Sequence, residues 1–240
     1  MLTKGENEKS FKKENLNSYL NALSKEYKKL VGRKTQAEII LIGGAAVIEN
    51  YGFRDMTTDV DVIINAASAM EDAINHVRDQ YELPDDWMND DFRKTDSYSS
   101  KLIQCSVFYK TFNQVLNVRT MMGEYLIAMK LLAFRQYKND LSDNVGILNE
   151  HEKRGDPISF ERIEKAVIDL YGSWDRFPKG AKEYITDTIS AGNYEEVYAL
   201  VRESEQDTKK ALMDFEEEHP GVLNTGNIDK YLQDLRGRKE

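Results

Sequence analysis

The stretch LIGGAAVIENYGFRDMTTDVDVII, residues 41–64, decides the fold because strand and helix periodicities meet in it. The apolar run EIILI at 38–42 is rich in β-branched residues and ends at a Gly-Gly pair, which predicts a buried strand followed by a turn. AAVIENY then has the spacing of a short helix that Gly52 closes. DVDVII at 59–64 alternates polar and apolar residues before it becomes apolar, which predicts a second strand.

The rest of the chain divides into a first half that contains strands and a second half that is helical throughout. Apolar residues at helical spacing predict an amphipathic helix over 14–31 and another from Met70 that ends before Pro84. After a polar stretch, two further strands predict a hairpin: KLIQCSVFY (101–109) and NQVLNVRT (113–120). The helices predicted downstream span residues 122–137, 140–152, 159–171, 179–190, 194–218 and 227–237.

The confinement of strands to the first half predicts an α+β protein, in which a small mixed β-sheet with flanking helices precedes a helical C-terminal region. We expect residues 1–155 to form the core together with the N-terminal amphipathic helix. Residues 156–240 are expected to form the helical C-terminal region. At roughly 150 residues per domain, the 240-residue chain suits either one large domain or a core with a satellite.

Composition excludes several classes of protein. The single cysteine, Cys105, excludes a disulfide scaffold and a cysteine-rich zinc site. The N-terminus has no apolar segment typical of a signal peptide, and the longest near-apolar stretch, 38–48, is too short to span a bilayer. We therefore expect a soluble cytoplasmic protein with no membrane partner.

Charge is distributed unevenly along the chain. There are 33 Lys and Arg against 42 Asp and Glu, and this net charge of −9 disfavours a protein built to coat nucleic acid. Residues 1–34 hold nine basic and four acidic residues, so this basic arm carries +5 and the remainder −14. The basic arm indicates either an anionic partner or the solvated face of an amphipathic helix.

Asp59 and Asp61 form the most informative pair of side chains. Because they are two residues apart in a predicted strand, both leave the same face, with Cα atoms ~7 Å apart. Carboxylates that converge in this way repel each other unless a cation lies between them. Hard oxygen ligands suit Mg²⁺ or Mn²⁺, which can also bind substrate phosphates.

Gly43 and Gly44 are the second feature of the deciding stretch. Without a Cβ atom the backbone can approach a ligand closely, and the helix that follows presents N–H groups to an anion. Each feature alone is weak, since a Gly-Gly pair is often a plain turn and Asp-x-Asp a solvated strand end. Together, in a strand-turn-helix-strand context, they indicate a site for a nucleoside triphosphate and a metal ion.

These motifs resemble the signature of the nucleotidyltransferase superfamily, the DNA polymerase β-like fold: a Gly-Gly or Gly-Ser turn, a short helix and an Asp-x-Asp strand. A second block, EYLIAMKLLAFRQYKNDLSDNVGIL at 124–148, is similar to the abortive-infection, type IV toxin-like branch and its bacterial relatives. That branch has a lysine inside an apolar helix, then an arginine, then an acidic pair that opens the next helix. The matching positions are Lys130, Arg135, Asp140 and Asp143, and Arg54 and Thr57 match the branch's Arg-x-x-Thr-x-Asp-x-Asp form. The resemblance covers residues 36–155.

The resemblance implies a nucleotidyltransferase that moves a nucleoside monophosphate from an NTP to an acceptor hydroxyl on RNA, protein or a small molecule, with Mg²⁺ or Mn²⁺ as cofactor. It also implies an antitoxin protein as partner if the chain belongs to a toxin–antitoxin pair. The residues implied as catalytic are Asp59, Asp61, Lys130 and Asp143, the first two as metal ligands. Those implied as nucleotide-binding are Gly43, Gly44, Arg54, Thr57 and Lys130.

Simpler interpretations and rival functions stay open at this point. Lys130 also fits a snorkelling lysine on a partly buried helix, and Asp143 fits a helix N-terminus stabilised by the dipole. Many superfamily members carry a third carboxylate on a later strand, where this chain has Asn117 and Arg119. That departure favours the alternative of a non-catalytic binding module or toxin–antitoxin partner with the same fold. A sugar-nucleotide glycosyltransferase would also use Asp-x-Asp, but the long alternating βα pattern that it needs is missing before the motif.

Overall fold

The computed structural model describes residues 10–224, 227–228 and 231–232. Within these residues, five strands form one sheet among eight α-helices, which confirms the predicted α+β class. The strands are β1 (Ala37–Leu41), β2 (Val60–Asn65), β3 (Met88–Asn89), β4 (Ser106–Phe112) and β5 (Leu116–Met121). The helices are α1 (Lys13–Val31), α2 (Gly43–Asn50), α3 (Ala69–Tyr81), α4 (Gly123–Ala133), α5 (Asp140–Lys153), α6 (Phe160–Tyr171), α7 (Ala181–Ala191) and α8 (Tyr194–Glu218).

The sheet is mixed, with the strand order β3-β2-β1-β5-β4. β1 pairs antiparallel with β2 and parallel with β5, and β4 and β5 form the predicted antiparallel hairpin. A parallel pair needs a long connection between its strands, and β2, α3, β3 and β4 supply it here. The central strand β1 therefore lies between β2 and the hairpin, with its end at α2.

Apolar side chains of β1 and α1 build the centre of the core. Ile39 and Leu41 are buried on one face of β1 and Ile40 is buried on the other, which explains why the sequence of this strand does not alternate between apolar and polar residues. α1 buries Leu16, Leu20 and Tyr27 on one face and packs against α3 and β4. The predicted amphipathic helix is thus a structural part of the core.

The helical second half is attached to the sheet through α4. Its residues 125–132 are buried on all sides, and it packs against α5, α6 and α7. α8 lies along α5. Buried side chains of α6 and α7 belong to the same hydrophobic cluster as the sheet. The division at residue 155 stays a prediction.

Several predicted boundaries were wrong for local reasons. α2 begins at Gly43 itself, so the Gly-Gly pair forms its first turn and does not precede it. β4 begins at Ser106 because residues 100–103 form a short 3₁₀ turn. α4 ends at Ala133 because Phe134 adopts a left-handed conformation with φ of 46°. Most of the predicted helix 227–237, and residues 1–9 of the basic arm, lie outside the described residues.

Backbone hydrogen bonds of Phe11 connect the segment before α1 to the loop before β2. Its backbone N–H donates to the Thr57 carbonyl at 2.7 Å, and the Thr57 N–H donates back at 2.9 Å. The Phe11 ring is fully buried and lies 5.9 Å from the Tyr19 ring and 6.3 Å from that of Trp87. The loop that carries Thr57 is therefore held by the segment before α1 as well as by its connection to β2.

No helix in the described part of the chain is long and apolar enough to cross a membrane.

We expect Phe11→Ala to lower the free energy of unfolding by ~3–5 kcal/mol, because it removes a fully buried ring and leaves a cavity. Phe108→Ala is the matched control, since that ring is 60% exposed and should cost little. Urea denaturation of both variants measures the difference. Equal stability of the two variants would show that the Phe11 ring does not anchor the segment.

Candidate active site

The end of β1 places Gly43 beside the Asp61 carboxylate. The Ile42 N–H donates to the Asp61 carbonyl at 3.1 Å, which extends the β1–β2 pairing up to the start of α2. Gly43 has φ of +55°, and a Cβ atom there would lie 3.0 Å from Asp61 Oδ2. Glycine supplies both the backbone conformation and the space, so the Asp61 carboxylate lies directly against the first turn of α2.

The surroundings of Asp61 disfavour its negative charge. Burial, and then the neighbouring Asp59 carboxylate, raise the pKa of Asp61 to about 6, although Lys138 and Arg135 lower it. The Asn89 side chain, from the adjacent strand β3, also lowers the pKa of Asp61 and partly offsets this effect. The two carboxylates therefore lie close enough to repel each other, and a cation between them would relieve that repulsion.

Thr57 and Arg54 pack directly on Gly44. A Cβ atom on Gly44 would overlap the Thr57 hydroxyl and lie 2.9 Å from an Arg54 guanidinium nitrogen. Arg54 Nη2 donates to Thr57 Oγ1 at 3.4 Å, and that hydroxyl donates to Asp59 Oδ1 at 3.3 Å. The Arg-x-x-Thr-x-Asp spacing thus forms a chain of hydrogen bonds that ends on the first carboxylate.

Asp143 connects this loop to the helical half of the protein. Its Oδ2 atom lies 2.6 Å from Arg54 Nη1 and 2.7 Å from Lys130 Nζ, and its side chain is 2% exposed. Lys130 also lies 3.4 Å from Asp140, which Arg135 Nε contacts at 2.7 Å. Buried charges need such paired partners, because an unpaired one pays the full cost of leaving water.

The charge states in this network follow from its pairing. Burial alone would raise the pKa of Asp140, but Lys130 and Arg135 outweigh it and hold the pKa of Asp140 below its ordinary value. Near these ion pairs, desolvation and the neighbouring Arg135 lower the pKa of Lys138. The carboxylates of Asp59 and Asp61 oppose that lowering, because both attract the charged ammonium group of Lys138.

These residues surround a cleft of about 510 Å³, here called the main cleft. Every predicted site residue except Asp143 lines it: Gly43, Gly44, Arg54, Thr57, Asp59, Asp61 and Lys130. Asp143 lies behind Arg54 and Lys130 and lines a neighbouring cavity. Its predicted catalytic role stays a prediction, and its contacts are those of a residue that positions two cations.

α8 closes the main cleft with residues that sequence reasoning missed. Glu205, which is 2% exposed, accepts hydrogen bonds from the backbone N–H groups of Leu141 and Ser142 and from the Ser142 hydroxyl. It thereby caps the first turn of α5 from another helix. Arg202 and Lys209 also line the cleft. No local pattern in the sequence of α8 distinguishes these positions from its solvated charges, whereas Lys138 lies within the block at 124–148.

β5, where a third carboxylate was expected at Asn117 or Arg119, carries no acidic residue. Arg119 of β5 pairs with Ile40 of β1, and continuing that parallel register by two residues places Met121 level with Ile42. Met121 is fully buried, and Arg119 donates to Ser106 on β4. Among the described residues, no group of three or more His, Cys, Asp or Glu side chains could hold a metal ion by itself.

The donor set nevertheless fits a magnesium-type ion that is shared with a substrate. Mg²⁺ in nucleotide enzymes is bound through one or two carboxylates together with substrate phosphates and water. Asp59 and Asp61 supply the two carboxylates, and the raised pKa of Asp61 shows that its charge lacks sufficient compensation from the protein alone. The residues present therefore suit a metal that arrives with a phosphate ligand.

Comparison with known proteins gives a family match. The family model described as "Nucleotidyltransferase of unknown function (DUF6036)" matches residues 18–171, which include all of the predicted site residues. No curated protein and no solved structure matches the chain significantly. The segment that carries Phe11 and the whole of α8 lie outside the matched range.

We expect Gly44→Ala to destabilise the protein by ~1–3 kcal/mol, because the added methyl group overlaps Thr57 and Arg54. Gly52→Ala is the matched control, since no atom lies within 4 Å of a Cβ placed there. Thermal denaturation of the two variants measures the effect. If Gly44→Ala proves as stable as Gly52→Ala, the contact between this turn and the Arg54–Thr57 pair is not close.

We also expect Glu205 to make stability depend on pH. Burial raises the pKa of Glu205 from 4.5 to about 7, against the lowering by its hydrogen bonds to Ser142 and Leu141. Between these values the folded state keeps a proton that the unfolded state has released, so the unfolding free energy falls as the pH rises from 4.5 to 7.

Glu205→Gln should remove this loss, which amounts to at most about 3 kcal/mol for a shift of this size. The measurement is urea denaturation at several pH values, with Glu203→Gln, an exposed position on the same helix, as control. A pH dependence that is the same in all three proteins would contradict the raised pKa of Glu205.

Proposed function

Since this chain belongs to the family described as "Nucleotidyltransferase of unknown function (DUF6036)", we propose that it transfers a nucleoside monophosphate from an NTP to an acceptor hydroxyl. The observation that carries the proposal is the approach of Gly43 to Asp61 at the end of β1, with Asp59 and Arg54 beside them. This arrangement combines an anion-binding turn with two carboxylates in one cleft. Both are required to hold a triphosphate with its metal ion.

The first turn of α2 is the proposed seat of the phosphates. The first N–H groups of a helix have no acceptor within the helix, and the helix dipole adds positive potential there. Gly43 and Gly44 line the cleft and have no side chains of their own, so the backbone of this turn lies close to Asp61, Thr57 and Arg54. Arg54 lies against Gly44, so a phosphate on this turn would also meet its guanidinium group.

Asp59 and Asp61 are the proposed metal ligands. When bound, Mg²⁺ or Mn²⁺ supplies Lewis-acid activation of the phosphate and neutralises developing charge. Asp59 and Asp61 would hold this ion, and the Thr57 hydroxyl donates a hydrogen bond that fixes the Asp59 carboxylate. The acceptor oxygen bonds to the α-phosphorus as the bond to the β-phosphate oxygen breaks, and pyrophosphate leaves with the electron pair.

The cationic side chains have two proposed roles. Lys130 and Arg54 face the main cleft and offset the charge of the triphosphate, and Asp143 holds both in position. Lys138 and Arg135 are placed at the cleft to receive the departing pyrophosphate. The buried Met121 leaves no carboxylate on β5 to act as base, so the hydroxyl proton is expected to pass to water.

The position of Met121 also favours a second candidate function, a module that binds nucleotide without transferring it. This alternative needs the same phosphate seat but no acceptor. Calorimetric titration with each NTP in the presence of Mg²⁺ separates the two functions, since binding without turnover on any acceptor selects the module. The antitoxin partner remains a proposal that rests on the resemblance of the block at 124–148.

We expect Asp59→Ala and Asp61→Ala each to lower the transfer of α-phosphate label from NTPs by ~10²–10³-fold, because each removes charge that the reacting phosphate depends on. Asp187→Ala, at an exposed position on α7, is the control and should retain activity. The assay supplies RNA, protein and small-molecule acceptors with Mg²⁺ or Mn²⁺. Label transfer that survives both substitutions would remove these residues from the site.

A further inference from the structure

A second cavity, of about 760 Å³, opens beside the main cleft and is here called the side cavity. The two share part of their walls: Arg54, Met56, Asn139, Arg202 and Gln206. A ligand in the side cavity would therefore lie next to a triphosphate in the main cleft, with these shared side chains between them.

Cationic side chains outnumber acidic ones on the wall of the side cavity. Lys12, Lys13, Arg54 and Arg202 line it, against the acids Glu14, Asp55 and Asp143. Setting aside the ion pair of Arg54 with Asp143 leaves Lys12, Lys13 and Arg202 against Glu14 and Asp55. Glu14 lies in the first turn of α1, where the helix dipole offsets its charge. The remaining charge attracts an anion and disfavours a cationic ligand.

The cations continue from the side cavity into the main cleft. Arg54 and Arg202 belong to both, and Lys138 and Lys209 line the far side of the main cleft. Among the described residues, neither Lys12 nor Lys209 has a carboxylate within ion-pair distance. A succession of positive groups of this kind follows a chain of phosphates better than it follows a single anion.

Aromatic rings form the apolar part of the wall. Phe53 lies 5.7 Å from Tyr198 and 5.8 Å from Tyr51, measured between ring centroids. Phe53 also fills the space over Gly146, where any Cβ atom would overlap its ring. These contacts fix the rings as a preformed surface beside α2, α5 and α8. Flat rings beside cations are the combination that binds unstacked nucleobases together with their phosphates.

We propose that the side cavity binds the acceptor, and that this acceptor is the end of a single-stranded polynucleotide. Its terminal base would stack in the side cavity, its phosphates would follow Lys12 and Arg202, and its terminal hydroxyl would enter the main cleft past Arg54. A polycationic small molecule does not match this charge, and an ordinary protein segment does not carry a row of phosphates to meet these cations. The acceptor role rests on the proposed nucleotidyl transfer, whereas the binding of the polynucleotide does not.

Several of the features that carry the proposal lie outside the matched family region. Lys12 and Lys13 precede residue 18, and Tyr198 and Arg202 follow residue 171. The family core thus supplies the proposed phosphate seat and carboxylates, while the flanking elements supply much of the side cavity. Acceptor choice would then be set by α8 and the start of α1.

Binding is tested first, without NTP or metal, by the fluorescence anisotropy of a short labelled single-stranded RNA of mixed sequence on the full chain. Lys12→Glu should weaken binding and reduce the slope of log affinity against log salt by ~0.7 for each phosphate that Lys12 neutralises in the wild type. Lys25→Glu, an exposed position farther along α1, is the matched control and should bind as wild type. Tyr198→Ala should weaken binding at least ~fivefold, and Tyr198→Phe, which keeps the ring, should restore it.

Label transfer onto the same RNA is then measured for these variants. Loss of both binding and transfer in Lys12→Glu and Tyr198→Ala supports the proposal. Transfer that is undiminished in both variants, or label found on protein in place of RNA, overturns it and leaves the proposed nucleotidyl transfer standing. If no preparation transfers label while the variants still lose RNA binding, the proposed activity fails and the side cavity remains a polynucleotide site.

Discussion

The buried carboxylate of Asp143 is the constraint on which the rest of the candidate site depends. It contacts Arg54, from the loop before β2, and Lys130, from the middle of α4, so one side chain ties the sheet to the helical half. Removing one partner of a buried ion pair typically costs ~3–5 kcal/mol, because the other charge is left unpaired. The two cations are therefore fixed in place before any substrate arrives, which reduces the reorganisation that binding would otherwise require.

Steric fit fixes the other side of the cleft. Gly44 allows Arg54 and Thr57 to lie directly against the first turn of α2, and the Phe11 bridge holds Thr57 from behind. The Thr57 hydroxyl donates to the Asp59 carboxylate. The position of Asp59 therefore depends on the contacts of Thr57 with Gly44 and with Phe11. The same packing disfavours the charged form of Asp61, because the elements that position this carboxylate also bury it and raise its pKa.

Sequence patterns predicted the parts of this structure that depend on neighbours along the chain. The strand at β1, the hairpin and the amphipathic α1 follow from periodicity, and the Gly-Gly and Asp-x-Asp motifs follow from local chemistry. The contribution of α8 could not be predicted, since Glu205 differs from its exposed neighbours only through contact with α5, 63 and 64 residues away. The role of Asp143 was only partly accessible, because helix-dipole stabilisation explains an acidic first turn equally well.

The net charge of −9 is a poor guide to what this protein binds, because placement outweighs the sum. The acidic residues that face the main cleft include two carboxylates suited to a metal ion, while Asp140 and Asp143 are neutralised internally by Lys130, Arg135 and Arg54. With that internal network set aside, and with Asp59 and Asp61 assigned to the proposed metal ion, the cations on the walls of the two cavities outnumber the acids: Lys12, Lys13, Lys138, Arg202 and Lys209 against Glu14, Asp55 and Glu205. Charge interactions in water are screened within ~10 Å at ordinary salt, so a polyanion at this surface would sense these side chains and not the distant acidic faces. The basic arm at residues 1–34, which carries a net charge of +5, is consistent with this, since its residues Lys12 and Lys13 line the side cavity.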